Sequence, residues 1–303
     1  MGVGLIALQE PAINPFGFTI AMREWMPIYP TPHGTTHDRS RAITLIRSNI
    51  STDTWTQLDF PSSDVVIIQI EGTWGKITIF NIYNDCDNND TIKLLSNYYS
   101  RNRARMEQAE VGTANVIWLG DFNRHHPLWD DPNDDWLFTP EAMDAMEVLI
   151  EAIADIGLEL ALPSGTPTHQ HNVTKSWSRL DQVFLSDHAD HMMISCDTQM
   201  DLRGILTDHL PIVTILNLLI EPAAEAPYPN FREVDWEEFR MSLENQLLGL
   251  PPLEKILNQH QLDISCETLT SAIQSIIQEQ VPITKITLKS KWWWTKELML
   301  LQK

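Results

Sequence analysis

Short apolar runs rich in β-branched residues fill the first two thirds of the chain. Leu5-Ile6-Ala7-Leu8-Gln9 and residues 42–46, 65–70 and 77–83 have the length and composition of sheet strands. Between Asp90 and Glu110 the period lengthens, and Ile92, Leu95, Tyr99 and Met106 fall on one face of a helix. Residues 114–119 then read as a buried strand ended by a glycine turn at Gly120. Thr139-Pro140 is an N-cap followed by proline in the first turn, and it opens a second helix that stops at Gly157. Residues 178–185 and 212–216 supply later strands. Several strands precede the first helix, which argues against a doubly wound parallel sheet and for a mixed-sheet α/β sandwich.

The pattern changes after Ile220. Residues 221–229 form a proline-rich linker, Asp235 is placed to cap a helix through Leu247, and residues 262–280 carry apolar positions at helical steps. The chain closes on Trp292-Trp293-Trp294-Thr295-Lys296-Glu297-Leu298, an aromatic cluster that needs a packing partner. The expected organisation is a domain over residues 1–220 and a linker with a helical segment over 221–303.

Composition narrows the functional classes. With 303 residues, 43% of them apolar, the chain can bury a full core, yet no apolar run is long enough to span a membrane. No leader pattern opens it, so a soluble, untargeted protein is expected. Cys86, Cys196 and Cys266 are odd in number and far apart, which supports neither a disulfide framework nor a cysteine zinc site and fits a reducing compartment. The net charge of −20 argues against broad attraction to nucleic acid. Two clusters, Arg39, Arg41 and Arg47, and Arg101, Arg103 and Arg105, read either as phosphate contacts or as solvated faces.

Polar groups recur where strands end. Asp121 and Asn123 leave the 114–119 strand two residues apart, on one side of an extended segment, where they suit holding a water near a hard cation. The competing reading is an Asx turn closing the strand. Glu10 follows the first strand, and Tyr83 closes another. Asp181 sits inside an apolar strand, where a lone carboxylate is costly unless paired. In Thr207-Asp208-His209 an aspartate stands beside a histidine it can orient or charge. If these ends converge they form a hard-cation site with a tyrosine and a histidine beside it, suited to attack of water on a phosphodiester. Oxygen ligands favour Mg2+ or Mn2+ over zinc.

The ordered set Gln9-Glu10-Pro11, Asn81-Ile82-Tyr83, Gly120-Asp121-Phe122-Asn123, Ser178-Arg179-Leu180-Asp181 and Thr207-Asp208-His209 resembles the endonuclease/exonuclease/phosphatase superfamily. Its fold is the DNase I-like four-layer α/β sandwich. The extension His125-His126-Pro127-Leu128-Trp129 is similar to endonuclease domains of non-LTR, LINE-type retrotransposons, over roughly residues 3–217. The closing Trp293-Trp294-Thr295-Lys296-Glu297-Leu298 resembles the segment joining such a domain to its reverse transcriptase. The resemblance implies Glu10 as principal metal ligand with Asp208, and Asp121 activating a water that Asn123 holds. It further implies His209, paired with Asp208, and Tyr83 on the scissile phosphate, with Asp181, Thr168 and Ser178 supporting them. The implied partners are DNA and a reverse transcriptase of the same polyprotein, with Mg2+ (or Mn2+) as cofactor, no membrane, and a nuclear site of action. Family members carry an asparagine-bearing strand well before the glutamate, whereas Glu10 has nine residues before it. An N-terminally truncated domain is therefore expected, with a catalytically inactive remnant as the alternative and a phosphatase of small phosphorylated ligands as a second one.

Overall fold

The computed structural model describes residues 3–20, 23–35, 39–205, 207–218, 229–249 and 258–283. They belong to two compact units, Met1–Ala223 and Ala224–Lys303. In chain order the first holds β1 (Leu5–Gln9), β2 (Trp25–Ile28), β3 (Ala42–Arg47), β4 (Trp55–Leu58), β5 (Val65–Gly72), β6 (Gly75–Tyr83), α1 (Asp90–Glu107), β7 (Thr113–Asp121), α2 (Pro140–Ile156) and β8 (Leu158–Leu160). It continues with β9 (His169–Gln170), β10 (Trp177–Ser178), β11 (Asp181–Ser186), α3 (Asp187–Asp190), β12 (Met193–Thr198) and β13 (Ile212–Leu216). The second unit holds α4 (Trp236–Leu248) and α5 (Gln259–Gln280), which pack together.

Six strands in the order β4-β5-β6-β7-β11-β8 make the central sheet. Only β6 and β7 run parallel, with α1 as their crossover, and the other pairs are antiparallel. Every residue of β6 is buried, as expected of a strand covered on both faces. On one face α1 and α2 bring Ile92, Leu95, Met146 and Leu149 against Phe80, Trp118 and Phe184. On the other, Ile68, Ile77, Ile117 and Val183 meet the sheet β1-β3-β2 and the pair β12-β13 through Ala42, Ile46 and Cys196. The result is a mixed-sheet α/β sandwich. Among the described residues no helix is long and apolar enough to cross a membrane.

Local chemistry accounts for the element ends. The Thr139 hydroxyl accepts the Ala142 N–H at 3.2 Å, Pro140 starts α2, and Gly157 ends it at a φ of 73°. In the second unit Asp235 caps α4 through the N–H groups of Glu237 and Glu238.

Two expectations need correction. The predicted strand over 178–185 is broken, because Ser178 pairs with His169 in β9-β10 while Asp181 begins a strand of the central sheet. Between them Arg179 turns inward, and its guanidinium donates to the Leu162 and Pro163 carbonyls and to Gln182 Oε1. Gly120 is not a turn either: it lies within β7, and a Cβ there would stand 1.9 Å from the Ile82 carbonyl oxygen. The predicted linker lies outside the described residues except at Pro229, and the segment Trp292 to Leu298 lies wholly outside them.

Candidate active site

Strand register assembles the site. Tyr83 and Asp121 are partners across the parallel β6-β7 ladder, and Asp121 faces Asp181 across β7-β11. Gln9 donates to Asn81 Oδ1 at 2.6 Å, and Asn81 donates to the Ile43 carbonyl at 3.0 Å, which locks the end of β1 onto β6. Glu10 follows at once, its N–H on the Arg41 carbonyl, and its carboxylate meets the Tyr83 hydroxyl. Burial first, then that carboxylate, raises the phenol pKa well above its ordinary value. Arg41 covers the Tyr83 ring at 4.6 Å and is paired with Asp64 and Asp85. It is therefore committed to this framework, not to a solvated face.

The carboxylate closest to His209 is Asp181 rather than its chain neighbour Asp208. His209 Nδ1 lies 2.8 Å from Asp181 Oδ2, whereas Nε2 lies 3.9 Å from Asp208 Oδ1. Thr168 positions this pair, since its hydroxyl accepts the N–H groups of Leu180 and Asp181 at 3.2 and 3.1 Å. Ser178 Oγ stands 3.1 Å from His169 Nδ1, so it acts on the site only through that ring. Ligand atoms of Asp121, Asp181 and His209 all lie within 4.8 Å of one another.

The Asp121-Asn123 step is an Asx turn, and the two side chains do not leave one extended segment together. Asp121 Oδ1 accepts the Asn123 N–H at 3.0 Å, which is an Asx turn, and the same carboxylate belongs to the cluster. Asn123 has a φ of 49° and does not continue the strand; its amide donates to the Asn84 carbonyl at 2.8 Å. Glu10 has a φ of 45°, so two site residues hold left-handed backbone, a strain common at functional sites.

Buried polar residues that the sequence pattern did not expose support this corner. Arg124 donates to Cys86, Asn88 and Asn89, holding the loop after Tyr83. Asp130, 1% exposed, accepts the N–H groups of His126 and Arg179 and stands 3.3 Å from His125 Nδ1. Trp129 is fully buried against Phe184. The His125-to-Trp129 motif is thus a scaffold for the turn behind Asp121.

The electrostatics are those of a reactive cluster. Burial, then the Asp181 charge, pushes the Asp121 carboxyl up to about 7, although His209 and the Asn123 N–H oppose this. Burial lowers the His209 pKa, but the Asp181 hydrogen bond and the charges of Asp181, Asp121 and Asp208 outweigh it and hold the ring at about 9. At neutral pH the cluster therefore holds an imidazolium beside a carboxyl group poised to exchange a proton.

Residues 77–213 match a protein-family model described as endonuclease-reverse transcriptase. The fold is similar to the endonuclease domain of TRAS1, a telomere-specific non-LTR retrotransposon, at 18% identity and a TM-score of 0.52, covering 71% of this chain and 86% of that one. It is similar too to an AP endonuclease from Leishmania major, at 13% identity and a TM-score of 0.55, covering 70% and 77%. The first unit therefore has a DNase I-like fold, with its residues 77–213 similar to the endonuclease-reverse transcriptase family. No curated protein matches the chain. The Xenopus laevis APE2 catalytic domain shares the fold at 14% identity and a TM-score of 0.52, covering 74% and 86%.

This DNase I-like domain has donors that fit a hard divalent cation. Asp121 is 6% exposed with Asp181 as its partner across the sheet, and Glu10 adds to the charge that raises its pKa. Buried carboxylates in such proximity favour either a proton or a cation.

Proposed function

We propose that the domain is a divalent-cation-dependent DNA-nicking endonuclease of the retroelement type. The observation that carries this reading is the convergence of Asp121, Asp181 and His209 at one sheet edge, beside Glu10 and Tyr83. A bound cation would supply charge neutralisation at the phosphoryl oxygens. Glu10 and Asp208 would hold it, with Asp121 next to it. Asp121 takes the proton of the attacking water as general base. Asn123 donates one amide hydrogen to the Asn84 carbonyl, and its Oδ1 would receive the other water hydrogen. His209, oriented through Nδ1 by Asp181, presents Nε2 to the developing phosphoryl charge. Tyr83 contacts the same phosphate, its ring held beneath Arg41. In this reading a reverse transcriptase shares the polypeptide and the site of action is the nucleus.

The net charge of −20 favours a second reading, a phosphatase of small phosphorylated ligands. Supercoiled plasmid and a soluble phosphomonoester, each with Mg2+, separate the two. Nicking that leaves an extendable 3′-hydroxyl, with slow monoester turnover, supports the endonuclease; the reverse ratio supports the phosphatase.

A further inference from the structure

The residue after Thr168 has no part in the chemistry above, yet it faces His209. Residues 168–170 and 208–210 form a short antiparallel bridge, with Leu210 N–H on the Thr168 carbonyl and Gln170 N–H on that of Asp208. His169 and His209 are direct partners in it, and their rings lie 4.9 Å apart. Asp208 closes the third side: its Oδ2 is 3.6 Å from His169 Nε2 and its Oδ1 is 3.9 Å from His209 Nε2.

We infer that His169, Asp208 and His209 form a binding site for a zinc-class dication. Their ligand atoms all lie within 4.8 Å of one another. Tetrahedral zinc sets nitrogen and oxygen ligands roughly 3.3–3.5 Å apart, so the three side chains would close on the ion by up to about 1.5 Å and leave a fourth position for water. The outer partners are also in place. Each imidazole has its Nδ1 against another side chain, His169 on Ser178 Oγ at 3.1 Å and His209 on Asp181 Oδ2 at 2.8 Å. Such bonds orient each ring with Nδ1 engaged and Nε2 toward Asp208. Asn172 steadies Asp208 by donating to Oδ2 at 2.8 Å. Two imidazoles and one carboxylate suit zinc or cobalt better than magnesium. Binding displaces the proton on His209 Nε2.

The site takes up two groups that the proposed nuclease needs, Asp208 and His209. Zinc would thus inhibit the enzyme by occupancy; this consequence rests on the nuclease reading, whereas the binding does not. The metal-free full chain is titrated with zinc chloride against a chromophoric chelator, and with cobalt to record its visible d–d spectrum. The wild type should take up zinc at this site, and cobalt should give a tetrahedral spectrum without a thiolate band. In His169→Asn and His169→Phe the affinity should fall by more than the roughly 10–100-fold that follows loss of an outer-shell partner. Asp85, Cys86 and Asp87 are a rival cluster, so Cys86→Ser should leave affinity unchanged. Absence of zinc uptake, equal uptake by both His169 variants while they stay folded, or loss only in Cys86→Ser overturns the inference. If the nuclease reading also holds, micromolar zinc slows nicking by wild type and not by His169→Asn.

Discussion

His209 is held by a carboxylate that sequence adjacency does not reveal. Asp208 is its chain neighbour, but the register of β7 and β11 delivers Asp181 to its Nδ1. The pairing has a signature in stability. A group whose pKa is higher in the folded than in the unfolded chain stabilises the fold fully below the unfolded value, and this is lost as pH rises through the folded value. His209 moves from 6.5 to about 9, and Asp121 moves from 3.8 to about 7 with the same sign. His126 and His169, lowered by burial, act with the opposite sign only below about pH 6.5, so the metal-free protein should melt at progressively lower temperature from about pH 6.5 to about pH 9, and His209→Asn should flatten that decline. A melting temperature that rises across this interval would contradict the assigned environments. Asp181→Asn should move the alkaline limb of nicking downward by about one pH unit or more, as the imidazolium loses its charged partner. An unmoved limb would show that Asp181 does not set the state of His209.

Elements were legible where their period was regular. The α1 positions Ile92, Leu95, Tyr99 and Met106 are all buried, and α2 begins and ends on its cap residues. Elements without a period of their own were not. Strand β12 buries only Cys196, and β9 and β10 have two residues each, so pairing rather than a periodic pattern makes them strands. Gly120 misled for a physical reason: glycine marks a turn, but it also marks close backbone approach, and here the Ile82 carbonyl occupies the space of a Cβ. Gly120→Ala should cost on the order of 3 kcal/mol in urea unfolding. Thr139→Ala, which removes only a cap, should cost about 1 kcal/mol. Equal losses from the two would mean that the β6-β7 contact is not as tight as described.

At the scale of the molecule, an acidic protein is proposed to act on an acidic polymer. Among the described residues three arginines are spent internally: Arg41 on Asp64 and Asp85, Arg124 on a loop, Arg179 on buried carbonyls. With these three withdrawn and a net charge of −20, DNA affinity should fall with salt at a logarithmic slope near −3 or shallower, against about −5 to −9 for a protein that neutralises 6–10 phosphates. A steeper slope would place an extended basic footprint on a surface not described above. Tyr83, Asp121 and Asp181 stand at strand ends, which is what marks them along the chain. Their mutual contacts depend on sheet register and on Arg179 and Thr168, neither of which has a periodic signature. The central claim is that Asp121 and His209 carry phosphodiester hydrolysis together. It is tested most directly by the initial rate of supercoiled-plasmid nicking with Mg2+, for wild type, Asp121→Ala and His209→Ala at matched folding. The account predicts loss on the order of 10²–10⁴-fold in each variant. A rate within a few-fold of wild type in either folded variant would contradict it.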